Sequence, residues 1–288
     1  MAINNNNSSD HSVQKFGIRT LGVYILLVIW ALINLFPVYW MFTFSLKTNE
    51  EIFGKNLIGL PWEWRWNNYV SAWHTGNMPL YFLNSVIVSV SAIALVIIAS
   101  MMATYAITRL SWKWSSQVNA FFMLGLTIPI HASIVPVYVT LKNMGLTNTY
   151  FALIFPYAAF SLAMGILICT GFMVEIPKEL DEAARIDGCG AWKTFGVVIL
   201  PLMKPATATI SIYSFLQCWN ELMFANIFNS DGKYRTLPVG VQQLSGQYTT
   251  EWGPIGAALV IATFPMLIVY IFMSKRIQES FVVGAVKG

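Results

Sequence analysis

Few residues in this 288-residue chain can do chemistry, and their spacing rules out most reactions. Cys169 and Cys218 sit in apolar runs and Cys189 in a polar one, with no CxxC pair, so neither a disulfide framework nor a metal site is indicated. His11, His74 and His131 form no H-E-x-x-H pattern and no nucleophile–base set, which argues against an intramembrane enzyme. His131 lies between Pro129 and Pro136, and with no companion acid expected in nearby spans it reads as structural rather than as a proton relay. Gly54-Lys55 and Gly232-Lys233 lack the glycine-rich loop and the hydroxyl residue that cradle a nucleotide's phosphates, so no cofactor is expected on this chain. What remains is one run dense in charge. Glu175-Ile-Pro-Lys-Glu-Leu-Asp-Glu-Ala-Ala-Arg-Ile-Asp-Gly-Cys-Gly190 holds five of the thirteen acidic residues. Such a run offers a surface to which something outside an apolar environment can bind.

The elements that position this run follow from composition. The chain is 56% hydrophobic and only 10% charged, far from the soluble-domain average of about one quarter charged. With a mean hydropathy of +0.60, it reads as an integral membrane protein that fits the lipid bilayer. The net charge of +4 is spread over connections rather than gathered on one face, so no nucleic acid partner is implied.

Six spans are expected, at about Leu21–Phe44, Leu80–Ile107, Asn119–Leu141, Tyr150–Met173, Leu202–Phe228 and Ile255–Met273. Pro129 and Pro136 should bend or break the third, because each removes a backbone donor and clashes with the preceding turn. Trp62, Trp64, Trp66 and Trp73 place the first connection along a membrane–water boundary. Residues 1–19 read as a flexible tail, 20–276 as a single membrane domain with its polar loop at 174–201, and 277–288 as a second tail. Six spans put both termini on one side. That side would carry eleven Lys and Arg residues, among them Arg109, Lys113, Lys178 and Arg185, against six on the other, which makes it the cytoplasmic one.

Within the polar loop, Pro177 suits a first helical position, while Glu179, Asp181 and Glu182 favour the positive end of a helix dipole. Gly188 is a natural residue past a helix end, so 177–187 should be one short helix. Leu180, Ala183, Ala184 and Ile186 can share an apolar stripe, with Asp181 and Glu182 turned toward the surroundings. The small Ala183 and Ala184 would let another protein approach closely. Trp192, Phe195 and Ile199 form a second amphipathic turn, and Gly188 and Gly190 make the elbow between the two.

The order Glu182-Ala183-Ala184, three residues, Gly188, nine residues, Val198, one residue, Leu200-Pro201 resembles the EAA-x3-G-x9-I-x-LP loop of bacterial ABC import permeases. Only Val198, for isoleucine, departs from it. The resemblance implies an all-α membrane fold of six transmembrane helices, with a cytoplasmic coupling helix between spans 4 and 5 (the type I importer fold). It implies a transport subunit of the plasma (inner) membrane, with ATP and Mg used by a separate cytoplasmic ATPase dimer. Its further implied partners are a second permease subunit and an extracytoplasmic solute-binding protein. The coupling surface would comprise Glu182, Ala183, Ala184, Arg185, Asp187 and Gly188, with Val286, Lys287 and Gly288 of the tail as a second ATPase contact.

Pro129 to Tyr138, Leu141 to Asn148, Trp219-Asn220-Glu221 and Gly284 to Gly288 are similar to the carbohydrate branch of that family, near the smaller membrane subunit of maltose-type importers. This implies a sugar substrate; an importer of a non-sugar solute is the alternative, and an ion-coupled carrier would need more buried ionisable groups than the spans contain. Trp219, Asn220 and Glu221 would lie ~27 Å into the fifth span, where they either meet the substrate path or hydrogen-bond helices together. Gln242, Gln243, Tyr248 and Trp252, on an outer connection, are side chains that can bond hydroxyls or stack on a sugar ring, and by resemblance would probe the binding protein.

Overall fold

The structure, a computed structural model, describes residues 18–245 and 250–285, and every regular element among them is helical. In chain order these are α1 (Ile18–Ser45), α2 (Asn49–Phe53), α3 (Asn67–Thr75), α4 (Met78–Arg109), α5 (Ser115–Leu124), α6 (Ile134–Asn143) and α7 (Phe151–Glu175). There follow α8 (Glu179–Ile186), α9 (Ala191–Thr194), α10 (Leu200–Leu202), α11 (Lys204–Trp219), α12 (Met223–Phe228), α13 (Leu237–Gln243) and α14 (Trp252–Ala285).

Four helices are long and apolar enough to cross a membrane unbroken: Thr20–Ser45, Met78–Arg109, Phe151–Glu175 and Trp252–Met273. The other two expected spans are bent. Ser115–Thr127 and Ile130–Asn143 meet at 95°, where Pro129 takes an extended conformation that no helix can continue through. Ala191–Leu202 meets Lys204–Trp219 at 74°, at Met203 and just before Pro205. The expected continuous fifth span, Leu202–Phe228, is therefore corrected. Its membrane helix is α11, which has 16 residues and so is ~24 Å long. The chain then breaks at 220–222 and resumes as α12.

The fold is built around α4. Its inward face carries Ser85, Ser89, Ala92 and Ser100, small residues that let backbones approach where lipid supplies no hydrophobic drive between helices. Helix α7 comes close at Gly165, where an added Cβ would lie 3.0 Å from the Ser100 Cβ and 3.1 Å from a Val96 methyl. Three buried clusters line the bundle. One joins α4, α7 and α11 through Val96, Met101, Met173 and Ile210. A second gathers Val88, Leu153, Phe224 and Phe228 under α12. The third packs Met78, Trp219, Leu237 and Ala258. Helix α1 is different: none of its most apolar 18-residue stretch is buried, and it packs on α14, where the Thr263 hydroxyl lies 3.8 Å from the Met41 sulfur.

The connections at the N-terminal end of α4 are held by polar groups. Asn84 of α4 donates its amide to the Lys233 and Arg235 carbonyls at 2.9 and 2.8 Å, and accepts from the Tyr150 hydroxyl at 2.9 Å. Lys47, fully buried, donates to the Asn56 carbonyl at 2.7 Å. Glu51 completes a capping box with Thr48 and accepts from the Trp62 amide at 2.7 Å and the Asn56 side chain at 3.1 Å. Burial opposes charge on Glu51, but these donors and the Lys47 ammonium outweigh it and hold the carboxyl below its ordinary value of 4.5.

Candidate functional site

The polar loop forms the expected short helix, as α8, one turn of which is acidic through Glu179, Asp181 and Glu182. Its end is a Schellman motif. The Gly188 amide donates to the Arg185 carbonyl at 3.0 Å and the Cys189 amide to the Ala184 carbonyl at 2.9 Å, with Gly188 at φ +76°. That left-handed conformation is why glycine stands there. The chain turns at once into α9, then into a π-helical stretch, Phe195–Ile199, whose Phe195 ring packs 5.1 Å from Tyr105 of α4.

The orientation of α8 corrects the expected stripe. Asp181 points inward and is only 6% exposed, while Ile186 points outward at 86%. Ala184 is buried within this chain, where its small size lets α8 seat closely. Glu182, Ala183, Arg185, Asp187 and Gly188 are exposed together, and with Ile186 and Trp192 they form a mixed apolar and charged surface at one end of the bundle.

Asp181 faces inward because Arg109 is there. The Arg109 guanidinium donates to Asp181 Oδ2 at 2.9 Å and to the Met173 and Ile176 carbonyls at 2.5 Å each. Arg109 is the last residue of α4, and those carbonyls belong to the end of α7, so three elements meet at one cation. Sequence reasoning treats Arg109 only as a charge closing the second span. The spacing of 72 residues between the partners hides the pair.

A second polar feature lies where the two interrupted spans meet. A cavity of about 70 Å³ is lined by His131 from the break before α6, by Tyr157 and Ser161 of α7, by Tyr213 and Gln217 of α11, and by Glu221. Glu221 accepts from the Tyr157 hydroxyl at 2.8 Å and from the Phe224 and Ala225 amides at 3.0 and 3.1 Å, so it caps α12. His131 thus has an acid on its own cavity wall, contrary to the expectation of none nearby.

Trp219 is 3% exposed and turns away from this cavity; its indole donates to the Ala262 carbonyl at 2.9 Å and stacks on Phe215. Asn220 is exposed, with its amide on the Leu216 carbonyl at 3.0 Å. On the connection before α14, Gln242 is exposed, and Gln243 accepts from Arg235 at 2.8 Å. Trp252 packs edge-on against Phe53 and donates its amide to Asn49 at 2.9 Å. Tyr248, Val286, Lys287 and Gly288 lie outside the described residues.

Interrupted apolar spans around one scaffold helix, with an exposed acidic helix at one end, define a membrane transport subunit. Residues 95–282 match the family of binding-protein-dependent transport system inner membrane components, and the chain belongs to it. It is 38% identical over 265 residues to a putative ABC transporter permease protein, ORF2, of Caldicellulosiruptor sp., covering 92% of this chain and 96% of that one. It is 34% identical over 265 residues to the trehalose/maltose transport system permease protein MalG of Thermococcus litoralis, covering 91% and 94%. A bacterial ABC transporter that imports the acidic polysaccharide alginate has a chain that shares the fold, with a TM-score of 0.79 and 21% identity over 89% of this chain and 96% of that one.

Proposed function

We propose that this chain is one of two permease subunits of an ATP-driven importer, and that it passes a sugar or oligosaccharide across the plasma membrane by alternating access. ATP is hydrolysed with Mg by a separate ATPase dimer that docks on α8 from the cytoplasm, and a solute-binding protein delivers the sugar from outside. The observation that carries the reading is α8 itself, an exposed acidic helix with Glu182 and Ala183 outward and Gly188 at its turn. The excess of Lys and Arg on the α8 side supports cytoplasmic termini.

Relatives that carry trehalose, maltose and alginate support a sugar. The cavity, with Ile130, Phe160 and Phe224 also in its wall, is mostly apolar with a few polar groups, which fits that class. With the Glu221 oxygens occupied by Tyr157 and two amides, Tyr213, Gln217 and His131 supply a phenol, an amide and an imidazole for ligand hydroxyls. Its 70 Å³ has room for a few water molecules, so on this chain it forms one wall of a site that the second permease completes.

The test is uptake of labelled oligosaccharides into vesicles holding both permeases and the ATPase, with the binding protein outside. Uptake that needs internal ATP and the binding protein is the expected result. Sugar uptake indifferent to ATP would sink the reading, and uptake confined to a non-sugar solute would replace its substrate.

A further inference from the structure

We infer that Arg109 is a positioning residue that fastens the docking helix α8 to the ends of α4 and α7, so that a push on α8 from the ATPase moves both spans as one body. The inference rests on the proposed docking of an ATPase at α8.

An isolated helix of eight residues does not hold itself in water, so the direction of α8 must be set by what it is tied to. Helix α8 packs mainly on α9 and the π-helical stretch, and little on α4. Between α4 and α8 lies a cavity of about 310 Å³, walled by Thr108, Arg109, Ser111, Lys178, Asp181 and Arg185. Hydrogen bonds bridge it instead. The Arg109 and Asp181 side chains are 4% and 8% exposed, which removes them from competing water.

The chemistry of the link requires arginine. Helix α7 ends with no basic residue in its last turn, and Arg109 supplies a cation to the carbonyls there. The planar guanidinium presents donors in a fixed fork, and here one nitrogen serves both carbonyls while the other holds the carboxylate. A lysine ammonium, a single point of charge, cannot span both directions. One turn earlier on the same face of α4, Tyr105 packs on Phe195, so the two arms of the polar loop are gripped by residues four apart on one helix.

The test compares Arg109→Lys, Arg109→Ala, Asp181→Asn and the Arg109→Ala/Asp181→Asn double variant in the full transporter, reading ATPase retention and sugar moved per ATP hydrolysed. Asp181→Asn, which leaves the α7 carbonyls capped, is expected to keep its ATPase at the wild-type amount while sugar moved per ATP falls at least tenfold. Arg109→Lys should not rescue coupling, and the double variant should be no worse than Arg109→Ala. Sugar moved per ATP within twofold of wild type in Asp181→Asn overturns the inference. Loss of the ATPase from Asp181→Asn overturns it too, because the pair would then belong to the docking surface. If Arg109→Ala fails to accumulate, Asp181→Asn and Arg109→Lys decide. Glu182→Lys separates the two readings: an ATPase that stays bound to that variant strikes the docking itself, whereas full coupling in Asp181→Asn strikes only the role of Arg109.

Discussion

The hydroxyl of Tyr157 donates to Glu221 Oε2 across 2.8 Å, and the same carboxylate accepts the Phe224 and Ala225 amides that open α12. One acid therefore ties α7 to a broken span and starts the helix beyond the break. Glu221→Ala removes the cap and leaves a buried hydroxyl unpaired, with an expected cost of ~1–3 kcal/mol. Tyr157→Phe removes only one bond and should cost about 1 kcal/mol. Thermal unfolding in detergent checks the order: a Tyr157→Phe protein less stable than Glu221→Ala would contradict the assignment of Glu221 as the cap.

Glu182→Lys reverses the charge on the outward face of α8 while leaving the inward Asp181 in place. The expected outcome is normal membrane insertion, an ATPase subunit that no longer co-purifies, and transport down by more than tenfold. Unchanged transport would count heavily against docking at α8.

Gly188 holds φ at +76°, so Gly188→Ala places a Cβ in a conformation that costs ~1–2 kcal/mol for most residues. Asn tolerates that region better, and Gly188→Asn should be the milder change. Nothing lies within 4 Å of an added Cβ there, so strain rather than collision is what the pair of variants measures. Equal ATPase retention in Gly188→Ala and Gly188→Asn, both below wild type, would point to contact with the partner instead.

The turn around α2 should be acid-sensitive. The Glu51 carboxyl titrates below its ordinary 4.5 in the fold, so it contributes stability above that pH and loses it as the pH falls through the lowered value. Lys47 has its value lowered by burial, an effect Glu51 partly offsets, and it stays charged throughout acid, adding no change in that window. Protease cutting of residues 47–62 is expected to be flat from pH 7 to about 5 and to rise below that, with the rise absent in Glu51→Gln, which is cut at every pH. A rise that persists in Glu51→Gln would assign the titration to another group.

Much of this architecture was legible in the residues. The apolar runs give the spans, Pro129 gives the interruption of the third while Pro136 sits in the first turn of α6, and Gly188 marks the end of α8. What the residues conceal is pairing across the chain. Asp181 looks like an outward acid until Arg109 arrives beside it from 72 positions away, and that one bond turns α8 so that Ile186 faces out. The break after Trp219 was hidden for a related reason. Trp219-Asn220-Glu221 is apolar enough on both sides to continue a helix, and only the Tyr157 hydroxyl shows why Glu221 caps a new one. A common substrate role for the three residues also divides on contact, since Trp219 packs toward α14 and Glu221 toward His131.

The exposed α1 bears on how the protein is made. The helix it packs on is α14, where the Met41–Thr263 contact spans 222 residues, while its C-terminal end also bonds the 57–58 connection and Tyr69 of α3. This span is thus made well before the helix it packs on, and sits in lipid without that helix until α14 is synthesised. Until then its insertion and direction rest on hydropathy, flanking charge and the connection that follows it, with no help from α14.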